Sequence, residues 1–169
     1  MPSTDPVVKR YPGLVVRAAR VGVGLHADRA FARGATISAI SGRVYHWRVL
    51  WRRGGVFLAN CFRYGDDTYL DPGDGPGRWL NHRCEPSAGI RKRGRRLELF
   101  AARHIRRGGE ITLDYSTITG DDDLFRMRCH CGARTCRRWV ARFGLLPPAL
   151  RASYLRRGLV PPFLLSALD

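Results

Sequence analysis

Lysine and acidic side chains are scarce in this chain. Lysine occurs only at Lys9 and Lys92, so arginine supplies 28 of the 30 basic residues, against 14 acidic residues. The formal net charge of +16 excludes an acidic chain and favours anionic partners, including nucleic acid. The alternative is that the arginine content reflects a GC-rich genome and that the side chains are simply solvated.

Long apolar segments are also lacking. No apolar run approaches the roughly 20 residues that a membrane helix needs. The N-terminus lacks the charged start and apolar core of a secretory signal. We therefore expect a cytoplasmic protein without a membrane partner, with nucleoid or chromatin association if its charge meets DNA. The 169 residues suit one domain, and 44% hydrophobic residues suffice for a packed core.

The cysteines are few, and their spacing points to a metal before a disulfide. Cys129, Cys131 and Cys136 lie close enough in sequence to converge on one ion, whereas Cys61 stands apart in an apolar stretch as an expected buried thiol. Tetrahedral zinc needs a fourth ligand. His130 is a rival ligand, but its side chain should diverge from those of its neighbours. The alternative is a redox pair with stray thiols.

The apolar pattern predicts a mostly β chain with short helices. Turn residues separate the apolar runs throughout. The expected strands are 14–16, 22–25, 27–32, 34–40, 68–71, one at Ile90, 97–101 and 110–115. We expect a loose arm over 1–12, a loop over 72–77, and a helix that Pro147-Pro148 opens and Gly158 closes. Segment 47–62 is ambiguous between a short helix and strands, and residues 121–123 should cap a short helix.

Three motifs in a fixed order are the most informative feature. Residues 81–86 read Asn-His-Arg-Cys-Glu-Pro, residues 109–115 read Gly-Glu-Ile-Thr-Leu-Asp-Tyr, and residues 129–136 hold the three clustered cysteines. Together they resemble the signature of the SET-domain protein lysine methyltransferases, N-H-S-C-x-P-N, G-E-E-L-T-x-D-Y and C-x-C-x4-C. The resemblance covers residues 13 to 140. Departures include Arg83 and Ser87 in the first motif. Leu113 stands where Phe or Tyr influences the number of methyl groups added.

The resemblance implies an architecture. SET domains are built from small β-sheets with a C-terminal pseudoknot, which would bring Asn81 and His82 beside Tyr115, and with a zinc-binding post-SET segment. The expected boundaries are an N-terminal arm 1–12, a SET domain 13–120, a post-SET zinc segment 121–140, and a helical tail 141–169 packed on the domain as an appendage. The short, arginine-rich chain favours a bacterial host.

The resemblance also implies an activity and a set of site residues. The reaction is transfer of a methyl group from S-adenosylmethionine to lysine side chains of a protein, such as a histone-like or ribosomal protein. Tyr115 and His82 are the expected catalytic residues, and Cys84 the fourth zinc ligand beside the three clustered cysteines. The expected cofactor pocket consists of Gly22, Val23, Gly24, Leu25, Asn81, His82, Tyr115 and Trp139.

Several alternatives stay open at this level. Tyr115 alone could be a tyrosine packed at a strand end, and His82 a core histidine. A second channel aromatic could be Phe57, Tyr64 or Tyr69. A second functional hypothesis is a catalytically silent SET-like module that binds nucleic acid or a nucleic-acid-associated protein. The run 91–96, predicted as an exposed hairpin tip, would then contact DNA.

Overall fold

The structure of the chain is a computed structural model that describes residues 8–54, 60–120 and 125–165. Thirteen short strands in the described residues form five small sheets, and the few helices are short. A mostly β fold of small sheets, as predicted, is confirmed. None of the helices in these three ranges has the length and apolar character needed to cross a membrane.

The N-terminal sheet contains three antiparallel strands in the order β1-β2-β3. They are β1 Lys9–Tyr11, β2 Leu14–Ala18 and β3 Val23–Ala27. The prediction of a loose arm over 1–12 is wrong for β1, because its residues pair with β2 from Lys9 opposite Val16. Gly13 makes the tight turn between them with φ of 72°, a conformation that a side chain disfavours.

Two further three-stranded sheets follow. One has the order β4-β10-β9, and the other the order β5-β7-β6. Their strands are β4 Thr36–Ile40, β5 Arg43–His46, β6 Phe62–Arg63, β7 Thr68–Asp71, β9 Ala88–Arg93 and β10 Arg96–Ala101. Helix α1, Trp47–Arg53, follows β5 and accounts for the first part of the ambiguous segment 47–62, of which residues 55–59 lie outside the described ones. A 3-10 helix, Pro76–Trp79, replaces the end of the predicted loop.

The β9–β10 hairpin corrects the prediction for the run 91–96. The strands extend to Arg93 and start again at Arg96, so the tip consists of Gly94 and Arg95 alone. Arg91 lies opposite Glu98 in the register of the two strands. Its guanidinium donates to the Glu98 carboxylate at 3.0 Å, and Arg93 lies 3.4 Å from the same carboxylate. Much of the run is therefore strand with internal ion pairs.

Two minimal sheets build the region of the three motifs. Strand β8, Asn81–His82, pairs in parallel with β11, Thr112–Leu113. Strand β12, Met127–Arg128, pairs antiparallel with β13, Trp139–Val140. The predicted strand 110–115 is shorter than expected, because Asp114 caps a 3-10 helix, Tyr115–Ile118. The predicted cap at 121–123 lies outside the described residues.

The C-terminal tail completes the main core. It forms α2, Pro148–Arg156, which Gly158 follows at φ of 63°, and then α3, Pro162–Leu165. The start and end of α2 were predicted correctly. Tail residues in the main hydrophobic core are Phe143, Leu146, Tyr154, Leu159, Val160, Phe163 and Leu164. The tail is thus integral to the packing, rather than an appendage on its surface.

Candidate active site and metal centre

Parallel pairing of β8 with β11 brings the first two motifs together. Asn81 lies opposite Thr112 and His82 opposite Leu113. The Arg83 N–H donates to the Leu113 carbonyl at 2.7 Å and extends the pairing by one residue. As a result, His82 and Tyr115 come into contact although they are 33 positions apart. The juxtaposition that the resemblance implied is present in the structure.

The buried His82 ring has a defined hydrogen-bonding state. Its centroid lies 5.3 Å from that of Tyr115. The Tyr115 backbone N–H donates to His82 Nδ1 at 3.2 Å, so Nδ1 is the acceptor and Nε2 carries the proton of the neutral ring. Burial lowers the pKa of His82 to about 4 against the opposing charge of Asp114, so the ring is neutral near pH 7.

Tyr115 presents a protonated phenol. Its hydroxyl donates to the Leu80 carbonyl at 2.6 Å, and the Phe125 ring packs edge-on with centroids 6.3 Å apart. Burial, with the charge of Glu110 as a second cause, raises the pKa of Tyr115 to about 12. Because its own proton is directed at Leu80, the hydroxyl oxygen can accept a hydrogen bond from an incoming amine.

Asn81 ties the glycine-containing turn to the site. Its amide nitrogen lies within hydrogen-bonding distance of the Val21 and Val23 carbonyls, at 3.2 and 3.1 Å, and of the Glu110 carboxylate at 3.0 Å. A Cβ on Gly24 would approach Asn81 Nδ2 to 2.8 Å and Glu110 Oε1 to 2.7 Å. Only glycine fits this close approach without displacing a neighbour.

The other members of the predicted cofactor turn differ in their roles. Gly22 has φ of 60° and makes the turn into β3, while the side chain of Val23 is 38% exposed. Leu25 is fully buried in the core, and its carbonyl accepts the Ile111 N–H at 2.7 Å. A contribution of Leu25 to a ligand site would therefore come from its backbone.

Four cysteines from two motifs meet below Tyr115. The Cys129 sulfur lies 3.7 Å from the Cys84 sulfur and 3.6 Å from the Cys136 sulfur. The ligand atoms of Cys84, Cys129, Cys131 and His82 all lie within 4.8 Å of one another. Regular tetrahedral zinc with Zn–S bonds of about 2.3 Å requires sulfur–sulfur distances of about 3.8 Å. The measured sulfur–sulfur distances fit that ion. The group within 4.8 Å consists of three cysteines and His82, and the exposed His130 lies outside it.

Backbone N–H groups support the sulfur atoms. Arg137 N–H points to Cys84 Sγ and Arg138 N–H to Cys136 Sγ, each at 3.5 Å. Burial opposes ionisation of the Cys131 thiol, but backbone hydrogen bonds at Cys84 and Ala133 lower its pKa to about 7.

The SET domain family profile matches residues 22–116, which is more than half of the chain. The chain belongs to the SET domain family. A solved structure has a similar fold. The methyltransferase domain of human Histone-lysine N-methyltransferase SETMAR matches this chain with a TM-score of 0.59 and 24% sequence identity. That match covers 74% of this chain and 56% of the other.

Curated relatives of this SET domain carry histone-lysine methyltransferase names. Histone-lysine N-methyltransferase 2D of Homo sapiens is 27% identical over 130 residues, covering 70% of this chain and 2% of its own length. The H3 lysine-36 specific protein of Yarrowia lipolytica is 28% identical, covering 76% and 18%. The H3 lysine-4 specific protein of Saccharomyces cerevisiae is 30% identical, covering 76% and 13%. This chain thus spans less than a fifth of the length of these three proteins.

The aromatic residues around the SET site are only partly those predicted. Phe57 lies outside the described residues. Tyr64 donates to the Arg95 carbonyl at 2.9 Å, and Tyr69 is buried on β7. The rings that contact Tyr115 are His82 and Phe125, and Phe125 was missed because its segment was assigned to a helix start.

Trp139 lies on β13, which pairs with β12. It is 42% exposed, with the Arg126 and Arg128 guanidinium groups 4.4 and 5.4 Å from its ring. A surface pocket beside it is lined by Arg128, Cys129, His130, Arg138 and Trp139. The assignment of Trp139 to a cofactor pocket stays a prediction.

Sequence reasoning gave no role to the buried carboxylate before Tyr115. Asp114 is fully buried and accepts two hydrogen bonds from Arg137, both at 2.7 Å. It also accepts the Ser116 N–H at 3.1 Å, which caps the 3-10 helix. Asp114 therefore links the end of β11 to the cysteine segment. No sequence signal distinguished Arg137 from the other arginines.

Proposed function

We propose that the chain is a protein-lysine N-methyltransferase that uses S-adenosylmethionine and acts on a lysine in a basic segment of another protein, such as a histone-like or ribosomal protein. The observation that carries the proposal is the neutral Tyr115 phenol beside the neutral His82 ring, above a turn that Asn81 holds. The relatives' names support the reaction class.

The cofactor, when bound, supplies an electrophilic methyl group on a sulfonium ion. The lysine must reach it as a neutral amine, with the reacting atoms close and aligned. Burial around Tyr115 lowers the pKa of an amine, since desolvation disfavours its charged form. The Tyr115 oxygen accepts an amine N–H while its own proton stays in the hydrogen bond to the Leu80 carbonyl. Neutral His82 places no positive charge beside the sulfonium of the cofactor.

The residues present fit a cofactor site at the start of β3. The missing side chain of Gly24 lets Asn81 and Glu110 approach the backbone of this turn closely. Asn81 keeps the turn 21–23 in place through its two carbonyl contacts. We assign to this cradle the predicted residues Gly22, Val23, Gly24, Leu25, Asn81, His82, Tyr115 and Trp139.

The cysteine cluster fits zinc. We assign Cys84, Cys129, Cys131 and Cys136 as its ligands, on the sulfur–sulfur distances of 3.6 and 3.7 Å. His82 is the competing nitrogen, but its Nε2 carries a proton and lies 3.4 Å from Cys84 Sγ. We therefore infer that His82 donates to the Cys84 thiolate and does not bind the metal. Zinc would act here as a structural cross-link between the two motifs.

The test of the proposed function is methyl transfer from labelled cofactor to a panel of histone-like and ribosomal proteins, with labelled lysine identified in the product. Tyr115→Phe should remove most transfer, while calorimetry shows cofactor affinity within a few-fold of wild type. Tyr11→Phe is the matched control, because Tyr11 also donates to a backbone carbonyl but lies on β1. Unchanged activity in Tyr115→Phe would make Tyr115 a packing residue.

A second candidate is non-specific contact with DNA. It rests on the charge of +16 and on the segment 125–142, which carries six arginines and no acidic residue. A basic enzyme that sits on DNA could reach a DNA-packaging substrate that it would otherwise repel. Nucleoid or chromatin association of a cytoplasmic protein would follow from this contact.

The salt dependence of DNA binding tests this candidate, because neutralised phosphates release counterions. Arg126→Ala with Arg128→Ala should flatten the dependence. Replacing Arg91, Arg93, Arg95 and Arg96 together should change it less, because Glu98 already pairs with two of them. If the protein shifts DNA at neither low nor physiological salt, DNA contact by either surface is rejected.

A further inference from the structure

A tyrosine of the C-terminal tail reaches into the site. Tyr154, on α2, is 1% exposed and lies 40 positions after Asp114. Its hydroxyl is 2.8 Å from the Asp114 carboxylate and 3.2 Å from the Cys84 carbonyl. The family profile ends at residue 116, so this contact comes from outside the matched region.

Asp114 sets the turn on which Tyr115 sits. Its carboxylate accepts the Ser116 N–H at 3.1 Å, and its carbonyl accepts the Thr117 N–H at 2.9 Å and the Thr117 hydroxyl at 2.8 Å. These three bonds fix the backbone on both sides of Tyr115. A rotation of the Asp114 side chain would release the first of them, and with it the direction of the Tyr115 ring.

Tyr154 supplies the last donor to this carboxylate. Two oxygens offer about four acceptor positions. Arg137 occupies two of them, Ser116 one and Tyr154 one. Burial, with the charge of Asp114 as the next cause, raises the pKa of Tyr154, so its hydroxyl remains a donor at neutral pH.

We propose that Tyr154 is a positioning residue for methyl transfer, whose hydroxyl fixes Asp114 and thereby the orientation of Tyr115. The inference rests on the proposed function of Tyr115. The bond to Asp114 links α2 of the tail to the residue before Tyr115. The same Tyr154 hydroxyl also contacts the carbonyl of Cys84, a member of the cysteine cluster.

A further contact of the tail, at Leu159, involves the Tyr154 backbone and β9 but not the Tyr154 hydroxyl. The Leu159 N–H donates to the Tyr154 carbonyl at 3.0 Å, and the Leu159 side chain is fully buried. A Cβ on Gly89 would come within 2.6 Å of Leu159 Cδ2, so β9 carries a glycine where the tail packs on it. Leu159 therefore supports the fold of the tail without touching the Asp114 hydrogen bonds.

The experiment compares Tyr154→Phe with two controls. Tyr154→Phe keeps the ring and removes the hydroxyl, so we expect kcat to fall roughly tenfold, about 1.4 kcal/mol in activation free energy. The KM for cofactor should stay within about twofold. Tyr11→Phe should retain wild-type kcat. Leu159→Ala should lower the unfolding temperature yet keep kcat when assayed well below that temperature, because the hydroxyl remains.

Amide hydrogen exchange over 112–118 gives a readout that does not depend on activity. Tyr154→Phe should speed exchange of the Ser116 and Thr117 amides, whereas Tyr11→Phe should not. Wild-type kcat together with wild-type exchange in Tyr154→Phe would overturn the inference, as would a fall of kcat in Leu159→Ala equal to that in Tyr154→Phe. If the wild-type protein itself transfers no methyl group, the proposed function fails, and exchange alone decides whether Tyr154 orders the turn.

Discussion

Replacing Asp114 with asparagine tests the central link between the active site and the cysteine segment. The substitution keeps the shape of the side chain and removes its charge. The Arg137 guanidinium is 15% exposed and makes two 2.7 Å bonds to this carboxylate. Asp114→Asn leaves the Arg137 guanidinium without a carboxylate partner, and the new amide N–H faces one of the Arg137 N–H donors. Breaking a buried pair from one side costs about 3–5 kcal/mol.

The loss should be visible as thermal destabilisation. For a chain of this size, 1 kcal/mol corresponds to about 2–4 °C, so the unfolding temperature should fall by roughly 6–20 °C. The measurement needs a fixed zinc concentration, because a bound metal stabilises the native state by mass action. It should be made by calorimetry or by fluorescence on heating.

Asp28→Asn is the matched control. Asp28 also accepts two bonds from arginine, one each from Arg10 and Arg107 at 3.3 Å, but both of those side chains are well exposed. Exposed pairs contribute about 1 kcal/mol or less. If Asp114→Asn destabilises the protein no more than Asp28→Asn, the Asp114–Arg137 pair does not hold the site together. A second check is Arg137→Met combined with Asp114→Asn, which should cost less than the sum of the single changes.

Two further predictions concern the metal and the glycine cradle. We expect metal analysis of the wild type to give close to one zinc per chain. Cys131→Ala should lose this zinc, whereas Cys61→Ala, outside the cysteine cluster, should keep it; a Cys131→Ala protein that retains one zinc refutes the assignment. Gly24→Ala should weaken cofactor binding at least tenfold by calorimetry, because its Cβ would displace Asn81 and Glu110. Wild-type affinity in that variant would place the cofactor elsewhere.

The sequence was sufficient for those parts of the fold that local patterns encode. Strand β7 and the ends of α2 follow from alternating apolar residues, proline and glycine, and the structure has them where predicted. Strand β1 was missed because its three residues, Lys9–Tyr11, are polar or charged and half exposed. It forms because β2 offers an edge, which is a tertiary effect.

The basic run 91–96 was predicted as an exposed anion-binding loop because the pairing register of β9 and β10 cannot be read from the charges alone. As a loop, six consecutive residues with five basic side chains would be a strong anion site. Once the turn is placed at Gly94 and Arg95, Glu98 lies opposite Arg91 and neutralises part of the run. The register follows from a glycine at φ of 56°, which the sequence shows only as a glycine.

The contacts that build the site were visible from the sequence only through the family resemblance. Spacing alone does not bring His82 to Tyr115, and it does not select Arg137 and Tyr154 as partners of Asp114. These contacts join positions 33, 23 and 40 residues apart. A chain with 28 arginines gives no local reason to prefer one of them.

The same contacts imply that metal and catalysis are not separable in this chain. Cys84 receives the Arg137 N–H on its sulfur and the Tyr154 hydroxyl on its carbonyl, while both side chains bind Asp114. Loss of zinc would free the segment that carries Arg137, and Asp114 would then lose two of its four donors. Tyr115 depends on that carboxylate for its direction. On the proposed function, the cysteine cluster would therefore influence methyl transfer through geometry, by way of Arg137 and Asp114.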